Sequence, residues 1–160
     1  PGFIQLVNEI EPDQCTLVPD APDQLTSDHG WQIDGKDHNV LINIIEELKT
    51  DKTRVSLFVD PDIKQIENIK SIGANRIELY TGPYALNPIL EVLSSYETSY
   101  NYAKSIGLDV NAGHDLDLEN LKPFLDRAPV DEVSIGHALI SDALIDGLDT
   151  VTKKYLDLCK

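Results

Sequence analysis

Asp109-Val110-Asn111-Ala112-Gly113-His114-Asp115-Leu116 joins a short apolar strand to a glycine break and a histidine, presented where the chain turns toward a helix. The strand is expected to run from Leu108 to Asn111, with the turn at Gly113. Further on, Val133-Ser134-Ile135-Gly136-His137-Ala138 repeats the design. A Gly-His pair at the ends of successive strands marks a site, because folds that alternate strands and helices bind ligands at strand carboxyl ends.

The flanking sequence keeps that alternation. Phe3 to Ile10 has helical spacing, and Cys15 to Val18 reads as a strand stopped by Pro19. Asp20 to Asp37 has no period and is rich in Pro, Asp, Ser and Gly, so a long loop of the functional or mobile kind is expected. A helix follows over Asn39 to Thr50, then a strand over Arg54 to Val59. Asp60 is the expected N-cap of the next helix, with Pro61 as its first residue, Ile63, Ile66, Ile69 and Ile72 on one face and Gly73 closing it. Arg76 to Tyr80 is a strand, and Pro88 to Ile106 a long helix stopped by Gly107. Beyond the central stretch come a helix over Leu118 to Leu125, a strand over Glu132 to Ile135 and one closing helix over Ser141 to Leu158.

Five βα units in 160 residues give one α/β domain over 1–160 with a parallel sheet. They fit an open doubly wound sheet or the last five units of a (β/α)8 TIM barrel. No Gly-x-Gly-x-x-Gly follows a strand, so the dinucleotide-binding open sheet has no support. The chain has no methionine and begins Pro1-Gly2, so the expectation is the carboxyl-terminal part of a barrel whose first strands lie upstream.

The formal charge of −15 argues against nucleic acid or an anionic membrane as partner. No apolar run reaches the roughly 18 residues of a membrane helix, and the two cysteines form no disulfide framework, so a reducing, cytoplasmic setting is expected. Arg54 and Arg76 begin strands and Arg127 precedes one, all away from the strand carboxyl ends, and none of the ten lysines falls at such an end. An anionic ligand would therefore be held here by backbone N–H groups and histidines.

Among residues at the strand ends, His114 is the best candidate for proton transfer, the task histidine as a residue type serves, although a helix-capping histidine would look the same. Glu78, inside the apolar run Ile77-Glu78-Leu79, is either functional, an outward carboxylate paired with a helix, or a barrel-lining carboxylate satisfied by hydrogen bonds. Gly136 and His137 open the last connection, where barrels often grip phosphate, or simply pack closely. His29 and His38 read as solvated.

Together, Cys15-Thr16-Leu17-Val18-Pro19, Val55-Ser56-Leu57-Phe58-Val59-Asp60, Ile77-Glu78-Leu79-Tyr80-Thr81-Gly82-Pro83-Tyr84-Ala85, Asn111-Ala112-Gly113-His114 and Ile135-Gly136-His137-Ala138 resemble the pyridoxine 5′-phosphate synthase family, in order along the chain. The resemblance implies a TIM barrel that condenses 3-amino-2-oxopropyl phosphate with 1-deoxy-D-xylulose 5-phosphate, releasing phosphate and water, without metal or organic cofactor, as a homo-octamer. It implies His114 as proton donor and Glu78 as a carboxylate stabilising transition states. It also implies Thr26 as a loop contact to deoxyxylulose phosphate, and Gly136 with His137 as a grip on the amino ketone phosphate. The family position after the histidine can be glycine and offers its N–H; Asp115 stands there, and its carboxylate is expected to point away from phosphate. The family's remaining base and phosphate-clamping arginine belong to its first strands and have no counterpart here.

Two other readings stand beside this one. A truncated or non-catalytic barrel that only binds a phosphorylated ligand would need neither Glu78 nor His114. A Schiff-base aldolase would need a lysine at a strand end.

Overall fold

The computed structural model describes residues 2–33, 36–48 and 52–160. Its elements run α1 (Gly2–Ile10), β1 (Gln14–Leu17), α2 (Lys36–Leu48), β2 (Arg54–Val59), α3 (Ile63–Ser71), β3 (Arg76–Tyr80), α4 (Gly82–Leu86), α5 (Leu90–Ser105), β4 (Asp109–Gly113), α6 (Leu121–Leu125), β5 (Glu132–Ser134), α7 (His137–Asp146) and α8 (Leu148–Leu158). The sheet order is β1-β2-β3-β4-β5, and every neighbouring pair is parallel. A doubly wound sheet reverses its strand order at a switch point. This sheet never does, and it forms five consecutive units of a (β/α)8 barrel.

Strand alternation divides the sheet into two chemistries. Cys15, Leu17, Val55, Leu57, Val59, Ile77, Leu79, Val110 and Ala112 belong to the buried core, which the helices cover with side chains such as Ile45, Ile66, Ile69, Tyr96, Phe124 and Val151. The residues between them form a polar face: Thr16, Ser56, Arg76, Glu78, Asn111, Glu132 and Ser134. Arg76 is buried there and holds this face together, donating to Asn111 Oδ1 and Glu132 Oε1, both at 2.7 Å, and to Asp109 Oδ2 at 3.2 Å. Asn111 is therefore engaged with a buried arginine below the mouth of the site.

Several boundaries differ from the sequence reading. The N-cap of α3 is Asp62, whose carboxylate accepts from the N–H groups of Lys64 and Gln65. Asp60 instead accepts from the Gly30 N–H at 3.2 Å and from the Gln32 amide, tying down the preceding loop. The closing helix is two helices, α7 and α8, parted at Gly147 with φ +85. A short helix, α4, follows β3 directly. His38 falls within α2, half-buried. The expected end of the second helix at Lys49 and Thr50, and Asp34 and Gly35 of the long loop, lie outside the described residues.

Candidate active site

The sharpest departure is at the end of β4. Gly113 is the last residue of the strand, not its turn, and the backbone turns at His114 and Asp115, both left-handed with φ +90 and +59. Such conformations cost a non-glycine residue about 1–3 kcal/mol and collect at functional sites. Three carbonyls are held to maintain this one. The Thr81 N–H donates to Gly113 O at 2.9 Å, and the Thr81 hydroxyl, fully buried, lies against the carbonyls of both Gly113 and His114. The Asn120 amide donates to Asp115 O at 3.0 Å.

Gly113 is glycine for reasons of space. A Cβ there would stand 2.5 Å from Glu78 Oε1 and 2.9 Å from the Ser134 Cβ. Register places Glu78 beside Asn111 and Gly113 beside Ser134, so the carboxylate of β3 lies across the end of β4. It accepts from the Thr16 hydroxyl at 3.3 Å and from Ser134. Glu78 therefore faces the polar interior and is not an outward residue paired with a helix. Burial pushes its carboxyl above the usual range, only partly opposed by the Ser134 and Thr16 hydrogen bonds, and nearby Glu132 pushes it the same way. A carboxyl so placed binds its proton more readily than an exposed one.

The His114 ring is 19% exposed and fixed on three sides. Its Nδ1 is 2.9 Å from Asp115 Oδ2, and its Nε2 is 2.9 Å from the Thr26 hydroxyl. Tyr80 packs edge-on against it with ring centroids 5.1 Å apart, and Phe58 packs on Tyr80 at 5.3 Å.

Thr26 arrives on the long loop, which is strapped over the ends of β1 and β2. The Trp31 indole donates to Leu17 O and the Trp31 N–H to Phe58 O, both at 2.9 Å. At Gly30 a Cβ would meet the Asp60 N at 2.3 Å and the Val59 Cα at 2.4 Å, so only glycine allows so close a backbone crossing.

Asp115 also reaches toward the neighbouring strand end. Its second carboxylate oxygen, Oδ1, is 3.6 Å from Nδ1 of His137, whose side chain is 73% exposed. Gly136 is the N-cap of α7 and His137 its first residue, with no atom within 4 Å of where a Gly136 Cβ would stand. That helix N-terminus and the open backbone before it offer N–H groups to an anion. All six residues singled out from the sequence (Thr26, Glu78, His114, Asp115, Gly136 and His137) thus border one mouth. Thr81 and Ser134, which also stand at strand ends in the sequence, support it, as do Tyr80 and Asn120, which the sequence does not single out. His29, read as solvated, is exposed and pairs with Asp28.

The family model described as pyridoxal phosphate biosynthesis protein PdxJ matches residues 1–160. The chain belongs to the PdxJ family. It is 45% identical over 159 residues to a pyridoxine 5′-phosphate synthase from Porphyromonas gingivalis, covering 97% of this chain and 66% of that protein. A protein of the same name from Leptospira biflexa is 44% identical, with 96% and 62% covered, and one from Brucella abortus is 46% identical, with 97% and 65% covered. The chain thus spans 62–66% of the length of these curated relatives.

Among solved structures, a mutant tryptophan synthase α-subunit from Pyrococcus furiosus superposes with a TM-score of 0.63 at 13% identity, covering 98% of this chain and 59% of that one. The Amycolatopsis orientalis BexX/CysO complex gives 0.62 at 11% identity, with 97% and 59% covered. At such identities the likeness is one of fold. Among the described residues, no helix of this PdxJ-family chain is long and apolar enough to cross a membrane.

Proposed function

We infer that this chain carries acid–base and phosphate-gripping elements of a pyridoxine 5′-phosphate synthase, joining 3-amino-2-oxopropyl phosphate to 1-deoxy-D-xylulose 5-phosphate with release of phosphate and water. The observation that carries this reading is the contact of Thr26 with His114 Nε2 across 88 positions of sequence. It brings the loop expected to touch deoxyxylulose phosphate onto the residue expected to donate the proton.

In this reading the substrate's own amine attacks the partner ketone, and imine formation, enolisation and phosphate loss each need a proton moved. His114 supplies and recovers protons at Nε2. Glu78, buried on the polar face with its carboxyl raised by that burial, stabilises charge that develops in the transition states. The N–H groups at Asp115, Gly136 and His137 hold the amino ketone phosphate at the start of α7. The loop bearing Thr26 and Trp31 excludes the water that would hydrolyse an imine. Metal and organic cofactor have no part in the scheme, and a homo-octamer in the cytoplasm is the proposed assembly and setting.

The test is incubation of the full-length protein with both phosphates, following pyridoxine phosphate fluorescence and released phosphate. Product from both substrates together, and from neither alone, supports the synthase. Binding of a phosphate ligand with no product supports the non-catalytic barrel instead.

A further inference from the structure

We propose that Asp115 is the positioning residue that fixes the ring proton of neutral His114 on Nδ1, so that protons enter and leave at Nε2. Its catalytic consequence rests on the synthase reading; the position of the proton does not.

A carboxylate only accepts hydrogen bonds, so Asp115 Oδ2, at 2.9 Å, requires a proton on the Nδ1 it faces. The Thr26 hydroxyl, at 2.9 Å from Nε2, donates or accepts equally well and imposes nothing. Of the two groups on the ring, Asp115 alone dictates the tautomer. The other carboxylate oxygen lies 3.6 Å from His137 Nδ1, so Asp115 sits between the histidines at the ends of β4 and β5.

The backbone gives an independent reason to assign the carboxylate a task. Residue 115 has φ +59, a conformation that glycine adopts without the cost an aspartate bears. The turn alone would be served better by glycine. The carboxylate stands where it costs backbone strain, and its Oδ2 faces the histidine that the mouth presents. Tyr80, edge-on at 5.1 Å, restricts the ring from swinging away from that partner. Proton accounting is simple: Nδ1–H stays with Asp115 throughout, and the single proton gained at Nε2 is the one later given up.

The experiment uses full-length protein with 15N-labelled histidine rings at a pH where the rings are neutral, with His114→Asn to assign the His114 signal. In the wild type, Nδ1 is expected to carry the proton and Nε2 the lone pair. Asp115→Gly keeps the left-handed turn and is expected to move the proton to Nε2, the site that free histidine favours. Asp115→Asn tolerates the same backbone and still accepts at its amide oxygen, so it is expected to retain Nδ1–H. The turnover number in the same samples is expected to fall by about 10²-fold in Asp115→Gly and to recover in part in Asp115→Asn. A wild-type ring already protonated at Nε2, or an Asp115→Gly ring still protonated at Nδ1, overturns the assignment. Because the ring spectrum is read without substrate, a wild type that forms no pyridoxine phosphate defeats the synthase reading alone.

Discussion

Gly113→Ala tests the packing beneath His114 with the smallest possible change. The added Cβ would sit 2.5 Å from Glu78 Oε1 and 2.9 Å from the Ser134 Cβ, whereas ordinary contact begins at 3.4 Å. The carboxylate must retreat by about 0.9 Å, the difference between 3.4 and 2.5 Å. Glu78 can rotate, but retreat stretches its 3.3 Å hydrogen bond from Thr16. Ser134 cannot rotate its Cβ away, so β5 must move against the Gly113–Ser134 register. Overpacking of this kind costs about 1–3 kcal/mol. A catalytic group displaced by roughly 1 Å loses about 10²-fold in rate. The urea midpoint and kcat of the full-length variant would show both losses together. A variant with wild-type midpoint and wild-type kcat would refute the claim that Glu78 fills the space beside Gly113.

Further substitutions probe the same mouth. Burial raises the folded-state carboxyl of Glu78 above its ordinary value of 4.5, so the folded protein binds that proton more readily than the unfolded chain. The charged form then opposes folding at neutral pH, and this penalty disappears as pH falls below the ordinary range. Glu78→Gln should accordingly raise the urea midpoint at neutral pH, with the gain fading in acid, while turnover is lost; a gain that grows in acid would reverse the sign of the argument. Thr26→Ala should raise KM for deoxyxylulose phosphate by about 3- to 10-fold, the worth of one hydrogen bond, and an effect confined to the amino ketone phosphate would contradict its placement. Thr81→Val keeps the shape but strips a buried hydroxyl from the carbonyls of Gly113 and His114. It should cost about 1–3 kcal/mol in denaturant unfolding, and an unchanged midpoint would mean that the turn at His114 is held by other groups.

Much of the architecture was legible because barrel strands are short, apolar and period-two. Arg54–Val59 and Arg76–Tyr80 begin and end where the sequence puts them. The closing helix was misread because Leu144, Leu148, Val151, Tyr155 and Leu158 keep helical phase straight through Gly147, and periodicity does not report a φ of +85. Asp60-Pro61-Asp62 offers two caps flanking one proline, and only the path of the Gly30–Gln32 loop decides that Asp60 serves the loop and Asp62 the helix.

The site divides in the same way. Residue type and strand end sufficed to put His114, Glu78 and His137 at one mouth. What Asp115 touches was not readable, because it depends on two consecutive left-handed residues that are not glycine, stabilised by Thr81 and Asn120 from other segments. Gly113 was found for the wrong reason: it makes room for Glu78, which lies 35 positions earlier and meets it only through the register of β3 and β4.

The most direct test of the account is a matched comparison of the full-length protein and its His114→Asn variant, counting pyridoxine phosphate and inorganic phosphate formed from the two substrates. Asparagine tolerates the left-handed backbone at this position, so the variant should keep the fold. Equal amounts of the two products are expected from the wild type, and a fall of at least ~10²-fold in both from the variant. Near-normal turnover by the variant would contradict the assignment of His114 as the proton donor around which this mouth is built.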